Sequence, residues 1–482
     1  MDKVVNSPQE AVADIPTGAS IAIAGFSVDH GFASSLIAAL KDQGTNDLCI
    51  VCNSLGAPGQ LRPQILVENR QVSKLIASFS ARPGVPTDAE RQIAAGEVKL
   101  ELVPQGTLVE RLRAGGAGIA AFYTQAGLDT DIAQGKEVRV FNGKRYVMEE
   151  GLTVDYAFLS ASRADRAGNL EFRGGSQSFN PSFAKAARVS IAEVDEIVEV
   201  GEIPPERVGL PGIFVSRVVK RVLQPEPPGA RKKRRGDDSF KTYNGKPALA
   251  RMDIARRAAL LLDDHSYVNL GVGIPTLIAN HLGNKDVTLH AENGILGYGP
   301  LAPDQALDRD HYNASGEFVG LLPGASFFDS VTSFEVARSG RLAAVVLGAY
   351  QVDEQGNLAN WSTPNMVGGG IGGAMDLIAS SSRLIILMEH TDGKGVPKLV
   401  KRCTFALTAE QRVDTVVTDL ALLRRVNGVF RLEEIARGFA VDEVLALMQM
   451  DVEVATQVGV MQDAFDAQDA GLQVTTPADL LN

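Results

Sequence analysis

Two similar open-sheet α/β domains are the fold class that the sequence predicts, and three observations predict it. Short apolar runs with strand character alternate with helix-like periods along the chain. One strand-and-turn pattern occurs twice. A charged, proline-rich stretch separates the two copies, which divides the chain into 1–222, a linker over 223–248, and 249–482.

The elements follow in order. SIAIAGF (20–26) reads as a buried strand ending in a glycine turn, ASSLIAAL (33–40) as a helix, and DLCIVCN (47–53) as the next strand. The same order returns after residue 245. DIARRAALLL (253–262) sets Ile254, Ala258 and Leu261 on one helical face. YVNLGVG (267–273) is a strand plus a turn. IPTLIANHL (274–282) is a helix with Pro275 in its first turn, where a missing N–H costs little. DVTLHAENG then runs from strand into loop. Apolar strands alternating with helices predict largely parallel sheets. FLSASRADRAGNLEF (158–172) resembles VVLGAYQVDEQGNLANW (345–361). Asp165, Gly168, Asn169 and Leu170 match Asp353, Gly356, Asn357 and Leu358, each 188 residues further on, as a duplicated domain requires.

Composition excludes several function classes. The chain has 482 residues, 45% of them hydrophobic, enough for more than one core. A formal charge of −11 argues against nucleic acid or an anionic membrane as partner. No run of apolar residues is long enough to span a bilayer. The N-terminus, MDKVVNSPQEAVADIPTG, carries acids and no apolar signal core, so a cytoplasmic location is expected. Cys49 and Cys52 form a C-x-x-C inside an apolar strand, where positions i and i+3 face opposite sides; with no second Cys/His pair they read as core residues, and no metal is expected. The basic run Arg231–Arg235 reads as solvated linker.

Ligands of open α/β sheets bind beyond the carboxyl ends of the strands. Three stretches fall there: AENGILGYGP with Glu292, MVGGGIGGAMDL (366–377), and LVPQGTLVERLRAGGAG (102–118). Glu292 is a lone carboxylate at a strand tip, in a loop that looks too glycine-rich to pack. A carboxylate can serve as acid, base or nucleophile. Glycines 368, 369, 370, 372 and 373 let the backbone approach a ligand, and a helix beginning near Ala374 would add a partial positive charge. The run fits neither the Walker spacing nor the dinucleotide fingerprint. His290 and His390 sit at strand ends and read as structural.

ENGILGYGP closely resembles the Glu-Asn-Gly-x-x-Gly-x-Gly-Pro signature of class I coenzyme A transferases, nearest to the succinyl-CoA:3-oxoacid type with both subunits fused. NLGVGIPTL, LLPGASFF, GNLANW and GIGGAMDL in the second half are similar to family segments, as are PQGTLVERLRAGGAGIAAFYT, EVRVFNGKRY and ADRAGNLEFR in the first. The resemblance implies the CoA-transferase (NagB-RpiA-like) fold, with coenzyme A as a substrate and no other cofactor. It implies that Glu292 attacks an acyl-CoA and then carries CoA as a glutamyl thioester in a ping-pong exchange with a short-chain carboxylic acid. Gly373 and Ala374 would offer N–H donors to the reacting oxygen, in a glycine loop that includes Gly370 and Gly372. Gln105 would reach the carbonyl from the first half. Asn269 and Asn53 are the further binding candidates, and the site would lie between the halves. A homodimer is expected. The stretches GFSVDHGFASSLI, with Asp29 and His30, and SLGAPGQLRPQIL depart from the family pattern and leave the acyl pair open. The alternatives are an acyl-CoA hydrolase using the same glutamate and a ligand-sensing domain of the same fold.

Overall fold

The computed structural model describes residues 2–27, 30–81, 84, 86–224, 239–303, 307–380 and 383–461. Asp29 and the basic run Arg231–Arg235 lie outside these residues. The sheet of the first half runs Arg217–Lys220, Ala187–Val198, Val154–Asp165, Ser20–Ile23, Leu48–Ser54, Val72–Phe79, Lys99–Leu102, with every neighbouring pair on this path parallel. Its strands are apolar on both faces because helices such as Ser34–Gln43 and Gln105–Gly116 cover them.

The second sheet has ten strands and is mixed. At its centre Val287–Ala291, Ser266–Leu270, Ala344–Gly348, Leu384–Leu387 and Thr415–Val417 are parallel. Beyond them, Ile295–Leu301 and Val319–Phe327 on one flank, and Ala421–Val426 and Val429–Ile435 on the other, pair antiparallel. The expected parallel pairing therefore holds at the centre of this half and again at its far edge, where Glu453–Val460 lies parallel to Val429–Ile435. The ENGILGYGP stretch is also not a loose loop, since Ile295–Leu301 is one of these strands.

The repeat extends into three dimensions. Asp165 accepts the backbone N–H of Asn169 (2.9 Å) and its Nδ2 (2.7 Å), while Asp353 does the same for Asn357 at 3.1 and 3.0 Å. Each asparagine Oδ1 then accepts a distant backbone N–H, from Gly212 (2.8 Å) and Gln411 (2.9 Å). Strand register carries the equivalence further. Ala22 lies opposite Val51 and Ala157; Asn269 lies opposite His290 and Val345. Ala157 and Val345 are separated by the repeat spacing, so Val51 corresponds to His290, Cys52 to Ala291, and Asn53 to Glu292.

Two local expectations change. Ile274–Asn280 is a 3-10 helix, started by Pro275 after Gly273 and tightened by the Thr276 hydroxyl donating to the Gly273 carbonyl (2.8 Å). The last residues of the expected linker form a small hairpin, Thr242–Tyr243 with Lys246–Pro247, docked on the second half by Tyr243 Oη donating to Asp419 (3.0 Å). Among the described residues, no helix is long and apolar enough to cross a membrane. The thiols of Cys49, Cys52 and Cys403 are free.

Candidate active site

The carboxyl ends of both sheets face one cleft of about 570 Å³. The first half lends Phe26, Asn53, Ser54 and Phe79; the second lends Glu292, the turn after Leu270, and the ends of Ala344–Gly348 and Leu384–Leu387. Docking of the halves on each other is what creates it. Gly106 N and Thr107 N donate to the buried Asp376 carboxylate at 2.9 and 3.3 Å, and Gln105 N donates to Gly372 O at 2.8 Å. Ser80 N donates to Gly369 O and Ile371 N to Ser78 O, both at 2.9 Å. Arg309 pairs with Asp195 at 2.7 Å. Burial lifts the Asp376 carboxyl to about 6, against the pull of Arg338 and the two N–H donors.

Glu292 occupies a tight turn between Val287–Ala291 and Ile295–Leu301, only 5% exposed yet facing the cleft. The turn closes with Gly294 N donating to Ala291 O and Phe328 N donating to Gly294 O, both 3.0 Å. Gly294 has φ +100°, and a Cβ there would stand 2.0 Å from the Phe328 carbonyl oxygen. Only glycine fits. Asn293 Nδ2 donates to Tyr312 O at 2.8 Å and fixes the other side of the turn. The carboxylate is held by packing, contrary to the expectation of a mobile loop.

Burial raises the Glu292 carboxyl from 4.5 to about 7, while a hydrogen bond from Asn269 pulls it down. Its Oε2 has no partner among the described residues. Asn269 is itself fully buried and not on the cleft wall; its Nδ2 donates to His290 Nδ1 (3.0 Å) and to the His290 carbonyl (3.2 Å). His290 in turn contacts Ser333 Oγ at 3.0 Å through Nε2. Burial lowers the His290 ring to about 4, so it stays neutral. His390 is likewise buried, against Thr418 Oγ1 at 2.9 Å. The structural reading of both histidines stands.

The other candidates divide into two groups. Asn53, Gly370, Gly372, Gly373 and Ala374 line the cleft. Gln105 is fully buried behind it, at the start of Gln105–Gly116, so the third stretch is a helix and not a loop. Both polar atoms of the Asn53 and Gln105 amides lack partners among the described residues. Buried amides without partners cost stability, so both have hydrogen-bonding capacity left to fill. Gly373 caps the helix Ala374–Ile378, whose first N–H groups have no intrahelical acceptor. The glycine run, however, serves packing first. A Cβ on Gly370 or Gly372 would stand 2.8 or 2.6 Å from the Phe79 ring, and one on Gly369 2.6 Å from Trp361. Arg251, Lys398 and Phe79 also line the cleft. Sequence reasoning missed all three, since none belongs to a local motif.

A coenzyme A transferase family model matches residues 5–221 and 251–447. Human mitochondrial succinyl-CoA:3-ketoacid coenzyme A transferase 2 is 39% identical over 466 residues, covering 92% of this chain and 88% of that one. Mouse mitochondrial succinyl-CoA:3-ketoacid coenzyme A transferase 2A is 37% identical over 484 residues, covering 94% of this chain and 90% of that one. Among solved structures, the acyl-CoA transferase YdiF of Escherichia coli O157:H7 shares the fold, with a TM-score of 0.79 at 21% identity over 96% of this chain and 95% of that one. With both halves matched and with relatives this close along nearly its whole length, the chain belongs to the coenzyme A transferase family and is a CoA-transferase.

Proposed function

We propose that the protein moves CoA between succinyl-CoA and a 3-oxoacid through a covalent thioester on Glu292. The names of the full-length relatives support the substrate pair. The observation that carries the mechanism is Glu292 itself: a desolvated carboxylate with one unpartnered oxygen, at the wall of a cleft shared by both halves.

A carboxylate stripped of water is a better nucleophile than a hydrated one. Glu292 attacks the thioester carbonyl and expels CoA thiolate, leaving an acyl-glutamyl anhydride. The thiolate then attacks the glutamyl carbonyl and expels the free acid, which leaves CoA on Glu292. An acceptor carboxylate attacks this thioester and displaces the thiolate, and the thiolate takes the acceptor's acyl carbon. Glu292 is thereby restored. Every step exchanges acyl oxygen for acyl sulfur, so the reaction draws on no redox cofactor. The Gly373 and Ala374 N–H groups and the Gln105 amide are the donors suited to the oxyanion that forms at each attack. The Asn53 amide supplies a donor and an acceptor to the bound acid.

Mass spectrometry of intact protein and of peptides tests this, after mixing with short acyl-CoAs. CoA on the Glu292 peptide in the wild type, absent in Glu292→Ala, is the expected result. No adduct with any donor, together with undiminished CoA release by Glu292→Ala, would overturn it.

A further inference from the structure

We propose that Tyr312 is a positioning residue for Glu292: its side chain is held by the first half, and its main chain holds the turn that carries the carboxylate. The inference rests on CoA transfer at Glu292 and adds what fixes that carboxylate when the halves dock.

Tyr312 belongs to the second half and is 1% exposed. Its side chain meets three residues of the first half. The His30 ring stacks on it with centroids 3.9 Å apart and an interplanar angle of 15°, and the Phe26 ring lies 5.8 Å away. Its Oη donates to the Gly175 carbonyl at 2.9 Å. Each of these neighbours is itself braced. Phe26 and His30 exchange backbone hydrogen bonds of 2.8 and 3.1 Å, and His30 Nε2 donates to the Gly316 carbonyl at 3.1 Å. Gly175 N donates to Asp310 O at 2.7 Å, and a Cβ on Gly175 would stand 3.0 Å from the Tyr312 ring. A buried ring whose one polar group is satisfied across a domain boundary is fixed in both place and rotation.

The main chain of the same residue serves the turn at Glu292. The Tyr312 carbonyl accepts Asn293 Nδ2 at 2.8 Å, and Asn293, next to Glu292 in the chain, is fully buried. The docking contacts of Gln105, Gly106 and Ser80 end elsewhere, on the glycine loop and the helix it opens. Arg309 takes its own contact on Asp195. Two short links, from Tyr312 to Asn293 and from Asn293 to Glu292, therefore join the seating of the first half to the place of the carboxylate. Misplacement by about 1 Å at such a site can cost a reaction on the order of a hundredfold.

The test measures the pH profile of kcat/KM, together with kcat and KM for succinyl-CoA, in Tyr312→Leu, His30→Ala and Arg309→Gln. The last removes a contact between the halves that does not end on the turn. In Tyr312→Leu and His30→Ala water is expected to reach the carboxylate. The midpoint then falls by about one pH unit and kcat at pH 8 by about tenfold, while KM changes less than about twofold. Arg309→Gln is expected to leave the midpoint in place. An unmoved midpoint in either ring variant, or an equal shift in Arg309→Gln, would overturn the proposal. Should Tyr312→Leu fail to fold, Tyr312→Phe keeps the ring and loses the bond to Gly175. Its midpoint is expected to fall as well, and an unmoved one would count against Tyr312. Peptide mass spectrometry of the wild type with succinyl-CoA separates the two readings. A wild type that never carries CoA on Glu292 counts against the reading of function; a loaded wild type with unmoved variants counts against Tyr312 alone.

Discussion

At matching places in the two sheets, the first half carries Asn53 and the second carries Glu292. Each stands at the tip of its strand in the same register, and each faces the shared cleft. What differs is how the chain leaves. After Leu48–Ser54 it passes through a helix, Pro63–Glu68, and returns as a parallel strand. After Val287–Ala291 it turns at once on Gly294 and returns antiparallel. The longer exit leaves an amide at the wall. The tight turn pins a carboxylate into a dry position, where its proton affinity rises. A duplicated scaffold thus supplied two equivalent positions, and a change of connection, rather than of sheet, accompanies the chemistry of one of them.

Making the second half like the first is the sharpest way to break this comparison. Glu292→Gln is expected to lower kcat for CoA transfer on the order of 10⁴-fold or more, since the proposed route carries CoA on this carboxylate. The same variant should gain stability in alkaline buffer. A carboxyl whose folded value is raised from 4.5 to about 7 stabilises the fold below 4.5, and that contribution is lost as the pH rises through about 7. The shift corresponds to on the order of 3 kcal/mol at pH 8. Denaturant unfolding at pH 8 and pH 5 checks this, with Glu292→Gln more stable than wild type only at the higher pH. No difference at pH 8 would mean that the carboxylate is well solvated. In the wild type, kcat/KM should rise with pH up to about 7 and level off beyond it, because the proposed route needs the ionised form as nucleophile.

Destroying the turn without touching the carboxylate is the next largest change. Gly294→Ala places a Cβ against the Phe328 carbonyl in a backbone conformation that alanine avoids. A loss of roughly 2–4 kcal/mol in unfolding free energy is expected, with transfer activity falling alongside. Asn53→Asp, which gives the first half the second half's charge, should be milder. A like charge facing Glu292 across the cleft would raise its pKa further. The pH profile of kcat/KM is expected to move up by about one unit and activity at pH 7 to fall about fivefold. An unmoved profile would show that the two positions do not sense each other.

These residues also show how far the sequence could be read. Glu292, the glycine stretch and Gln105 were legible because each sits in a compact motif. The duplication was legible because Asp165 and Asn169, like Asp353 and Asn357, bond within five residues. The burial of Glu292 was not, because it depends on the Phe328 carbonyl arriving from a strand beyond the next one. Gly297 and Gly299 in turn hid the Ile295–Leu301 strand, since they interrupt its apolar alternation. The packing that requires glycine at 369, 370 and 372 was not legible, because the neighbours Trp361 and Phe79 cannot be seen locally. Arg251 and Lys398 belong to no pattern at all; only the fold brings them to one wall.

The smallest effect on activity belongs to the motif in which the halves did not diverge. Asn169→Ala and Asn357→Ala each remove a side chain that donates to its own aspartate and accepts a backbone N–H from afar. Each leaves a carboxylate oxygen and an N–H with one partner fewer, at a cost of about 1–3 kcal/mol. The two losses should agree within about 0.5 kcal/mol in denaturant titrations, and kcat for CoA transfer should stay within about twofold of wild type. Equal costs would mean that the turn supports both sheets in the same way and that the difference between the halves is confined to the strand tips at Asn53 and Glu292. A selective loss of activity in Asn357→Ala would instead extend that difference to the glycine loop, which follows Trp361 in the chain and packs on it.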